Sequence, residues 1–515
     1  MAGTVATTSR ASCTKCVLCT FVSQTAPPAA PPAAPVVRSG PVVLVLACAG
    51  ITAAITQTLV IPILGDLPEL LDTSASNASW VVTATLLAAA VATPVSGRLG
   101  DLYGKRRIML ACSLVLVAGS VIGALADSVL PMIVGRGMQG VGMGLIPLGI
   151  SAMRDLIPAE RLGSSIALMS ASMGVGGALG LPMAAAIAEH ADWHALFWVA
   201  TAAAVIVTAL IYFLIPATPV TATGRFDPIG ALGLGIGLVC LLLAISKGAD
   251  WGWSSAATLG CLAAAVIVLL AWGAFELRIP APLVDLRVTA RPVVLLTNIA
   301  SIVLGMAMYA QMLLTPQLLQ LPVATGYGLG QSMLGMGLWM LPGGFVMMLV
   351  SPLGAKISHA RGPRITLALG AGVIAVAYGL SLALMGSTWG LLVAICVANG
   401  GVGLAYGAMP ALIMGSVPLS ETASANSVNT LMRSIGTTTS AAVIGVVLAQ
   451  MTTDFGPYTL PSEDAFRTGF LIGAGVAVLA AATALAIPAR ASREAEDSIE
   501  HEVADLDEIV APPAD

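Results

Sequence analysis

Two groups of residues in this 515-residue chain have side chains that bind ions or protons. Between Val95 and Leu110, the sequence VSGRLGDLYGKRRIML sets one acid, Asp101, among four bases, although only 9% of the chain is charged. Further along, Arg136 and Gln139 lie inside an apolar segment. A charge in the middle of a membrane helix costs about 2.5–3.5 kcal/mol on insertion scales, so it needs a partner or a wet cavity. These residue types favour ion pairing, proton transfer and helix docking.

No pattern typical of catalysis or of a bound cofactor accompanies them. The sequence has no phosphate-binding loop, no metal-ligand cluster and no nucleophile beside a base. Cys13, Cys16 and Cys19 form a C-x2-C-x2-C run, but no nearby histidine supplies the fourth ligand of a zinc site. We therefore expect a protein that is not an enzyme, has no cofactor and binds no nucleic acid.

The elements that position these residues are apolar segments of membrane-spanning length. Hydrophobic residues make up 57% of the chain and its mean hydropathy is +0.94. A run of about 20 apolar residues spans the hydrocarbon core of a bilayer as a helix. The short alternating segments of a membrane β-barrel are absent from the sequence. The composition thus predicts an all-α polytopic membrane protein with fourteen spans, at 42–64, 78–97, 108–126, 130–152, 164–187, 195–216, 228–246, 255–275, 293–315, 332–354, 365–385, 389–412, 425–450 and 466–488.

The distribution of Lys and Arg predicts the orientation in the cell membrane. With both termini in the cytoplasm, all but four of the 22 basic residues fall in cytoplasmic segments. Lys247 and Arg467 fall outside, and Arg136 and Arg433 lie within helices. This bias follows the positive-inside rule, and one missed span would invert every later segment.

Two internal echoes predict how the spans are arranged. The segment Ser351–Leu367 repeats the pattern of Val95–Leu110, and Ser427–Gly436 repeats that of Ser165–Gly174. Both pairs are eight spans apart, as expected for two six-helix halves with two helices inserted between them. Such half-repeats are typical of transporters, which bind their substrate between the halves near the midplane. The predicted regions are a Pro/Ala-rich cytoplasmic tail (1–41), an N-terminal half (42–216), the two inserted helices with linkers (217–292), a C-terminal half (293–488) and an acidic cytoplasmic tail (489–515).

Several motifs in this frame resemble those of the major facilitator superfamily. Gly97-x-Leu99-x-Asp101-x-x-Gly104-x-Arg106-Arg107 is similar to the family's loop 2–3 motif, and GRGMQGVGMG, from Gly135, is similar to its fourth-helix motif. GGALGL, from Gly176, matches four of the six positions of the fifth-helix antiporter motif G-P-x-L-G-G. The wider context resembles the fourteen-helix drug/proton antiporter branch, which is common among actinomycete antibiotic exporters. The resemblance covers residues 42–488.

The resemblance implies roles for individual residues. It implies a cytoplasmic gate that clasps span 13, formed by Gly97, Asp101, Gly104, Arg106 and Arg107. It implies an antiporter helix marked by Gly174, Gly176, Gly180 and Pro182. It also implies proton coupling or anion contact at Arg136 and Gln139, while the alternative for Arg136 is a structural one, bonding backbone carbonyls to hold helices 1, 4 and 5 together.

Other residues are candidates for the proton carrier and for the lining of the substrate cavity. No span has a carboxylate near its centre, so the acids Asp66 and Glu69 at the outer end of span 1 join the coupling candidates. Without such an acid to offset positive charge, we expect neutral, zwitterionic or anionic cargo. The residues we expect to line the cavity are Gln57, Asn298, Tyr309, Gln311, Met336, Trp339 and Tyr406.

The sequence thus predicts a secondary transporter that exports small hydrophobic drugs or antibiotics, by proton antiport and alternating access. Its partners would be the substrate, protons and the lipid bilayer, and it would act as a monomer. Two alternatives stay open. One is a proton-coupled importer of a small metabolite on the same fold, and the other is a membrane sensor or scaffold that does not transport.

Overall fold

The computed structural model describes residues 39–488, except 62, 64, 65, 218, 219, 221, 223, 456 and 457. The two tails, and with them Cys13, Cys16 and Cys19, lie outside the described residues. The end of the bundle that carries most basic loops, predicted to be cytoplasmic, is called the inner end here.

Fourteen helices in the described part are long and apolar enough to cross a membrane, which confirms the predicted number and the all-α class. They are α1 (Ser39–Thr58), α2 (Trp80–Tyr103), α3 (Lys105–Ala124), α4 (Val129–Val141 and Leu145–Leu156, joined by a 3-10 turn at Gly142–Gly144), α5 (Ala159–His190), α6 (His194–Leu214), α7 (Pro228–Trp251), α8 (Ala256–Glu276), α9 (Pro292–Gln320), α10 (Met333–Arg361), α11 (Pro363–Leu384), α12 (Thr388–Met414), α13 (Thr422–Gln450) and α14 (Glu463–Ala486).

Three local features differ from the prediction. Helix α2 continues to Tyr103 instead of ending near residue 97, because Gly97 and Gly100 remain helical and Gly104, at φ 93°, ends the helix. Helix α1 ends at Thr58 rather than near residue 64. An unpredicted antiparallel hairpin, β1 (Thr452–Phe455) and β2 (Tyr458–Pro461), joins α13 to α14 with Thr452 opposite Pro461.

The internal echoes of the sequence correspond to repeated structure. The turn from α2 to α3 pivots on Gly104, and the turn from α10 to α11 pivots on Gly362 at φ 85°, a left-handed conformation that suits glycine. By position in the chain, we call α1–α6 the N-terminal half and α9–α14 the C-terminal half; they meet where α2 packs on α13 and where α5 packs on α10. Because α2 corresponds to α10 and α5 to α13 in the repeat, these two seams are equivalent.

The inserted helices lie at one side of the two halves. Helix α7 packs against α8, α2 and α13. Helix α8 is much more exposed: only 11% of its apolar stretch is buried within the protein, compared with 61% of that of α1. The exposed face of α8 carries large apolar side chains such as Ile267 and Leu270, as expected for a helix that faces lipid. Helix α7 therefore connects this peripheral helix to the α2–α13 seam.

Candidate functional site: a clasp at the inner end of the helices

The inner ends of α2 and α13 are joined by the carboxylate of Asp101. Its Oδ1 accepts a hydrogen bond from the backbone N–H of Ala423 at 3.2 Å, and its Oδ2 accepts one from Ser424 at 2.9 Å. Asp101 is 0% exposed. The first N–H groups of a helix have no partner within it and carry a partial positive charge, so a buried carboxylate there satisfies two donors at once. We call this contact the inner clasp.

Glycines on α2 let the two helices approach closely enough for the clasp. A Cβ atom added to Gly97 would lie 2.7 Å from the carbonyl oxygen of Ala423 and would collide with the hydroxyl of Ser427. Gly100 faces Leu148 of α4 in the same way. The spacing of Gly97 and Asp101, one helical turn apart, therefore places the close contact and the carboxylate on one face of α2.

We expect Gly97→Ala to weaken the clasp and to reduce efflux several-fold in cells, because its methyl group pushes α13 away from Asp101. Gly137→Ala is the matched control, since a Cβ atom there meets no atom within 4 Å. Drug accumulation assays on cells with equal amounts of membrane-inserted protein measure the effect. Equal efflux by the two variants would contradict this role of Gly97.

Two further polar contacts surround the clasp. Lys105, the first residue of α3, forms a fully buried ion pair with Asp155 at the end of α4, with a distance of 2.6 Å between Nζ and Oδ2. Its neighbour Arg154 crosses to the C-terminal half and donates to Thr422 Oγ1 at 2.8 Å and to the carbonyl of Val417 at 3.3 Å. The sequence predicts that both basic residues are cytoplasmic and does not predict these partners.

The other predicted gate residues lie beside the clasp rather than in it. Gly104 forms the positive-φ turn, and Arg106 donates to the carbonyl of Tyr212 at 2.5 Å and lies over the Tyr212 ring. Arg106 thus contacts α6 of its own half. The side chain of Arg107 is exposed.

Arg136 joins three helices of the N-terminal half. From α4, its guanidinium donates to the carbonyl of Thr56 on α1 at 2.9 Å, to that of Val81 on α2 at 3.3 Å, and to Gln139 Oε1 at 2.6 Å. Gln139 in turn donates to Ser120 on α3 at 2.9 Å. A structural role for Arg136 predicted that it joins helices 1, 4 and 5. In the structure it joins α4 to α1 and α2 instead, because Gly140 lets α2 approach α4 at this level.

This geometry predicts that Arg136→Lys lowers the melting temperature in detergent and reduces efflux at least about tenfold. A lysine ammonium cannot reach three acceptors in the planar arrangement of a guanidinium, and each lost bond to a charged group is worth about 1.5–3 kcal/mol. Arg467→Lys serves as the control, because Arg467 forms an exposed pair with Glu463. Lost efflux with an unchanged melting temperature would contradict the structural role and favour direct participation of Arg136 in transport.

The predicted antiporter helix, α5, lies between α1 and α10. Added Cβ atoms at Gly176 and Gly180 would meet α1, at Ile51 and Thr58 respectively, while one at Gly174 would meet Met347 of α10. Pro182 lies against Gly337 of α10. The small residues of this motif therefore allow close contact on both faces of α5, and one of these faces is the second seam between the halves.

The cavity candidates fall into two groups. Asn298 and Tyr406 lie close to α13: Asn298 Oδ1 accepts from Asn429 at 2.9 Å, and the Tyr406 ring lies 4.5 Å from the guanidinium carbon of Arg433. Among the residues that the structure describes, no Asp or Glu forms an ion pair with Arg433. These residues place hydrogen-bonding groups and a buried cation between α9, α12 and α13.

The other candidates lie elsewhere. Met336 is buried in the packed core of the C-terminal half, and Gln311 is 7% exposed with neither amide atom hydrogen-bonded within the described chain. Trp339 donates to Gln331 at 3.0 Å and packs on the exposed Trp389. Gln57 and Tyr309 are half-buried.

The coupling candidates Asp66 and Glu69 are both exposed, beside a short helical turn (Leu67–Leu70) that follows α1. In the described part of the chain, neither contacts Arg136, and no group of three or more His, Cys, Asp or Glu is placed to hold a metal ion. The structure thus separates the outer acids from the buried guanidinium.

Comparison with known proteins relates this arrangement to a family. The model of the Major Facilitator Superfamily matches residues 46–441. The chain is 27% identical, over 62% of its length, to the uncharacterized MFS-type transporter YhcA of Bacillus subtilis, and it spans only 60% of the length of that relative. It is 25% identical to the lincomycin resistance protein LmrB of Listeria monocytogenes, covering 64% of this chain and 69% of LmrB.

A solved structure supports the fold. The human organic anion transporter MFSD10 (TETRAN) superposes with a TM-score of 0.62 and 14% identity, covering 87% of this chain and 99% of that one. At this identity the likeness concerns the fold alone.

Proposed function

Since the chain belongs to the Major Facilitator Superfamily, we propose that it is a secondary transporter that exports small hydrophobic drugs or antibiotics in exchange for protons. The observation that carries the proposal is the inner clasp. A contact between the two halves at one end of the bundle is what alternating access requires when the site opens toward the other end. The proposed protein lies in the cell membrane as a monomer, with both termini in the cytoplasm.

Export of drugs is favoured by the relative LmrB, which is named for lincomycin resistance. The charges of the bundle narrow the proposed cargo. Every Asp and Glu within the fourteen described helices lies in the first or last turn, whereas Arg136 and Arg433 are buried further in. A helix bundle with buried cations and no carboxylate at the same depth favours neutral, zwitterionic or anionic molecules over lipophilic cations.

A comparison of cells with and without the gene tests the proposal. The panel contains lincomycin and other hydrophobic antibiotics, and both growth inhibition and intracellular accumulation are measured with and without a protonophore. Lower accumulation that disappears with the protonophore supports proton-driven export. Raised accumulation of a solute would indicate an importer, and no change across the panel would indicate a protein that does not transport; either result overturns the proposal.

We place the coupling among Asp66, Glu69, Arg136 and Gln139. For the two acids, we expect the double variant Asp66→Asn/Glu69→Gln to lose protonophore-sensitive efflux, since neither amide exchanges a proton at physiological pH. Efflux is compared in cells that contain equal amounts of protein. Full proton-driven efflux by this variant would remove both acids from the proposal.

A further inference from the structure

The inserted helices reach the inner clasp through the two segments that connect them to the halves. Before α7, the backbone N–H of Ala222 donates to the carbonyl of Asp101 at 3.1 Å. After α8, the carbonyl of Leu283 accepts a hydrogen bond from the Ser424 hydroxyl at 3.3 Å. Two of the three residues that form the clasp, Asp101 and Ser424, are therefore also held by the connections of α7 and α8.

Two carboxylates meet where these connections leave the helices. Asp227 caps α7, and its Oδ1 accepts from the N–H groups of Ile229 and Gly230. Glu276 ends α8, is 3% exposed, and accepts the N–H of Leu283 through Oε2 at 3.0 Å. The second oxygens, Asp227 Oδ2 and Glu276 Oε1, are both buried, and the indole of Trp272 lies beside the Glu276 carboxylate.

These two oxygens lie next to each other. A Cβ atom added to Gly230 would collide with both of them, so both oxygens lie over the same glycine. Two ionised carboxylates in such a place repel each other and have lost their hydration, whereas one proton between them removes the repulsion and forms a short hydrogen bond. The crowding of both oxygens over Gly230 fits an arrangement that holds that proton.

The basic side chains around the pair do not neutralise it through a hydrogen bond. A cleft of about 190 Å³ beside Leu283 is lined by two other acids and one base, and Asp227 and Glu276 are not among its lining residues. Further bases lie on the connecting segments. These neighbouring charges are Arg98, Asp285, Glu421, Arg225, Arg278 and Arg287. None of them donates to Asp227 Oδ2 or Glu276 Oε1, and Arg287 donates to the carbonyl of Leu277 instead. Leu283 itself lines this cleft.

We propose that Asp227 and Glu276 form a proton-binding site that locks the inner clasp. With the proton bound, the acid O–H of one residue donates to the free oxygen of the other, and the inner ends of α7 and α8 stay together. Glu276 then holds Leu283, which holds Ser424 at the clasp. When the proton leaves to the cytoplasm, the two carboxylates repel each other, Leu283 moves away and the clasp loosens. This site goes beyond the proposed export, and its test needs no substrate.

Spin labels across the clasp test the lock. In a background without native cysteines, the full-length protein carries Glu160→Cys, at the exposed start of α5, and Leu419→Cys, which precedes α13 and is exposed. The label-to-label distance is measured in lipid nanodiscs between about pH 5 and pH 9, a range that covers the titration of paired carboxylates. We expect the fraction of long distances to rise with pH in a single transition.

Neutral variants give a result that a purely structural role would not. In Asp227→Asn and in Glu276→Gln, the new amide donates to the remaining carboxylate, so the short distance should persist at every pH. Asp285→Asn is the matched control, because Asp285 also caps a helix but has no orphan buried oxygen, and it should follow the parent protein. Parent-like pH dependence in both neutral variants, or a parent distance that does not change with pH, would overturn the proposal.

Trp272 supplies a second measurement at the site. It lies one turn before Glu276, and its buried indole N–H interacts with the Glu276 carboxylate. The difference between the fluorescence of the parent and that of Trp272→Phe should titrate with the same midpoint as the distance change and should stay constant in Glu276→Gln. A midpoint that survives in Glu276→Gln would contradict the assignment even if that variant were partly unfolded.

Discussion

Replacement of Asp101 by asparagine is expected to abolish efflux, so that cells become as drug-sensitive as cells without the gene. The carboxylate is buried and accepts two backbone N–H groups at the start of α13. An amide has one acceptor oxygen, and its NH₂ group would face a second N–H donor. Hydrogen bonds to a charged group are worth about 1.5–3 kcal/mol, and a lost one leaves a buried donor unpaired. A shift of that size lowers the ratio of the state with a closed inner end to the open state by about 10- to 100-fold.

The measurement is minimum inhibitory concentration together with accumulation of a drug that the parent protein exports. Glu160→Gln is the control, since Glu160 is an exposed acid at the same end of the N-terminal half. Asp101→Glu adds a useful comparison because it keeps the charge but moves it by one methylene group. Normal efflux by Asp101→Asn, at equal protein amounts, would show that the clasp is dispensable.

The second large effect concerns stability. Either Lys105→Met or Asp155→Leu alone should destabilise the protein by about 3–5 kcal/mol, because each leaves a buried charge without its partner. Lys105 is 0% exposed and the Asp155 side chain 3%, with 2.6 Å between Nζ and Oδ2. Thermal unfolding in detergent, followed by circular dichroism, measures the loss.

The double variant Lys105→Met/Asp155→Leu separates the pair from its surroundings. Apolar replacement of both members of a buried ion pair is often neutral, so we expect the double variant to recover most of the melting temperature that each single variant loses. Additive losses in the double variant would show that Lys105 and Asp155 stabilise the protein through other neighbours. A single variant as stable as the parent would contradict the burial of the pair.

The helix number and the bundle class could be predicted because they depend on local sequence. Apolar runs of sufficient length, and the bias of Lys and Arg toward one side, need no knowledge of tertiary contacts. The ends of the helices depend on backbone conformation: the sequence around Gly97 predicts a helix end, but in α2 it is Gly104 that has the positive φ and ends the helix. Nothing local in the sequence distinguishes these two glycines.

The pairing of distant side chains could not be read from the sequence. Arg154 lies 268 residues from Thr422, and Glu276 lies 49 residues from Asp227, so neither contact leaves a periodic signal. The sequence also does not show which face of a helix points inward when the helix is apolar on all sides. Gln311 and Met336 were expected in the cavity, but nothing in the apolar surroundings of either residue indicates which face of its helix points to the other half.

The seam between α5 and α10 has a consequence for how temperature acts on the protein. Gly174 faces Met347, Gly344 faces Ala178, and Gly337 faces Pro182, so that much of this surface carries short side chains or none. Residues without rotamers lose no side-chain entropy when they pass one another, and they have no interlocked branches to release. If the halves turn against each other along this seam, the turning step should have a low activation enthalpy. The steepest temperature dependence of the cycle would then come from breaking the polar contacts at the inner end.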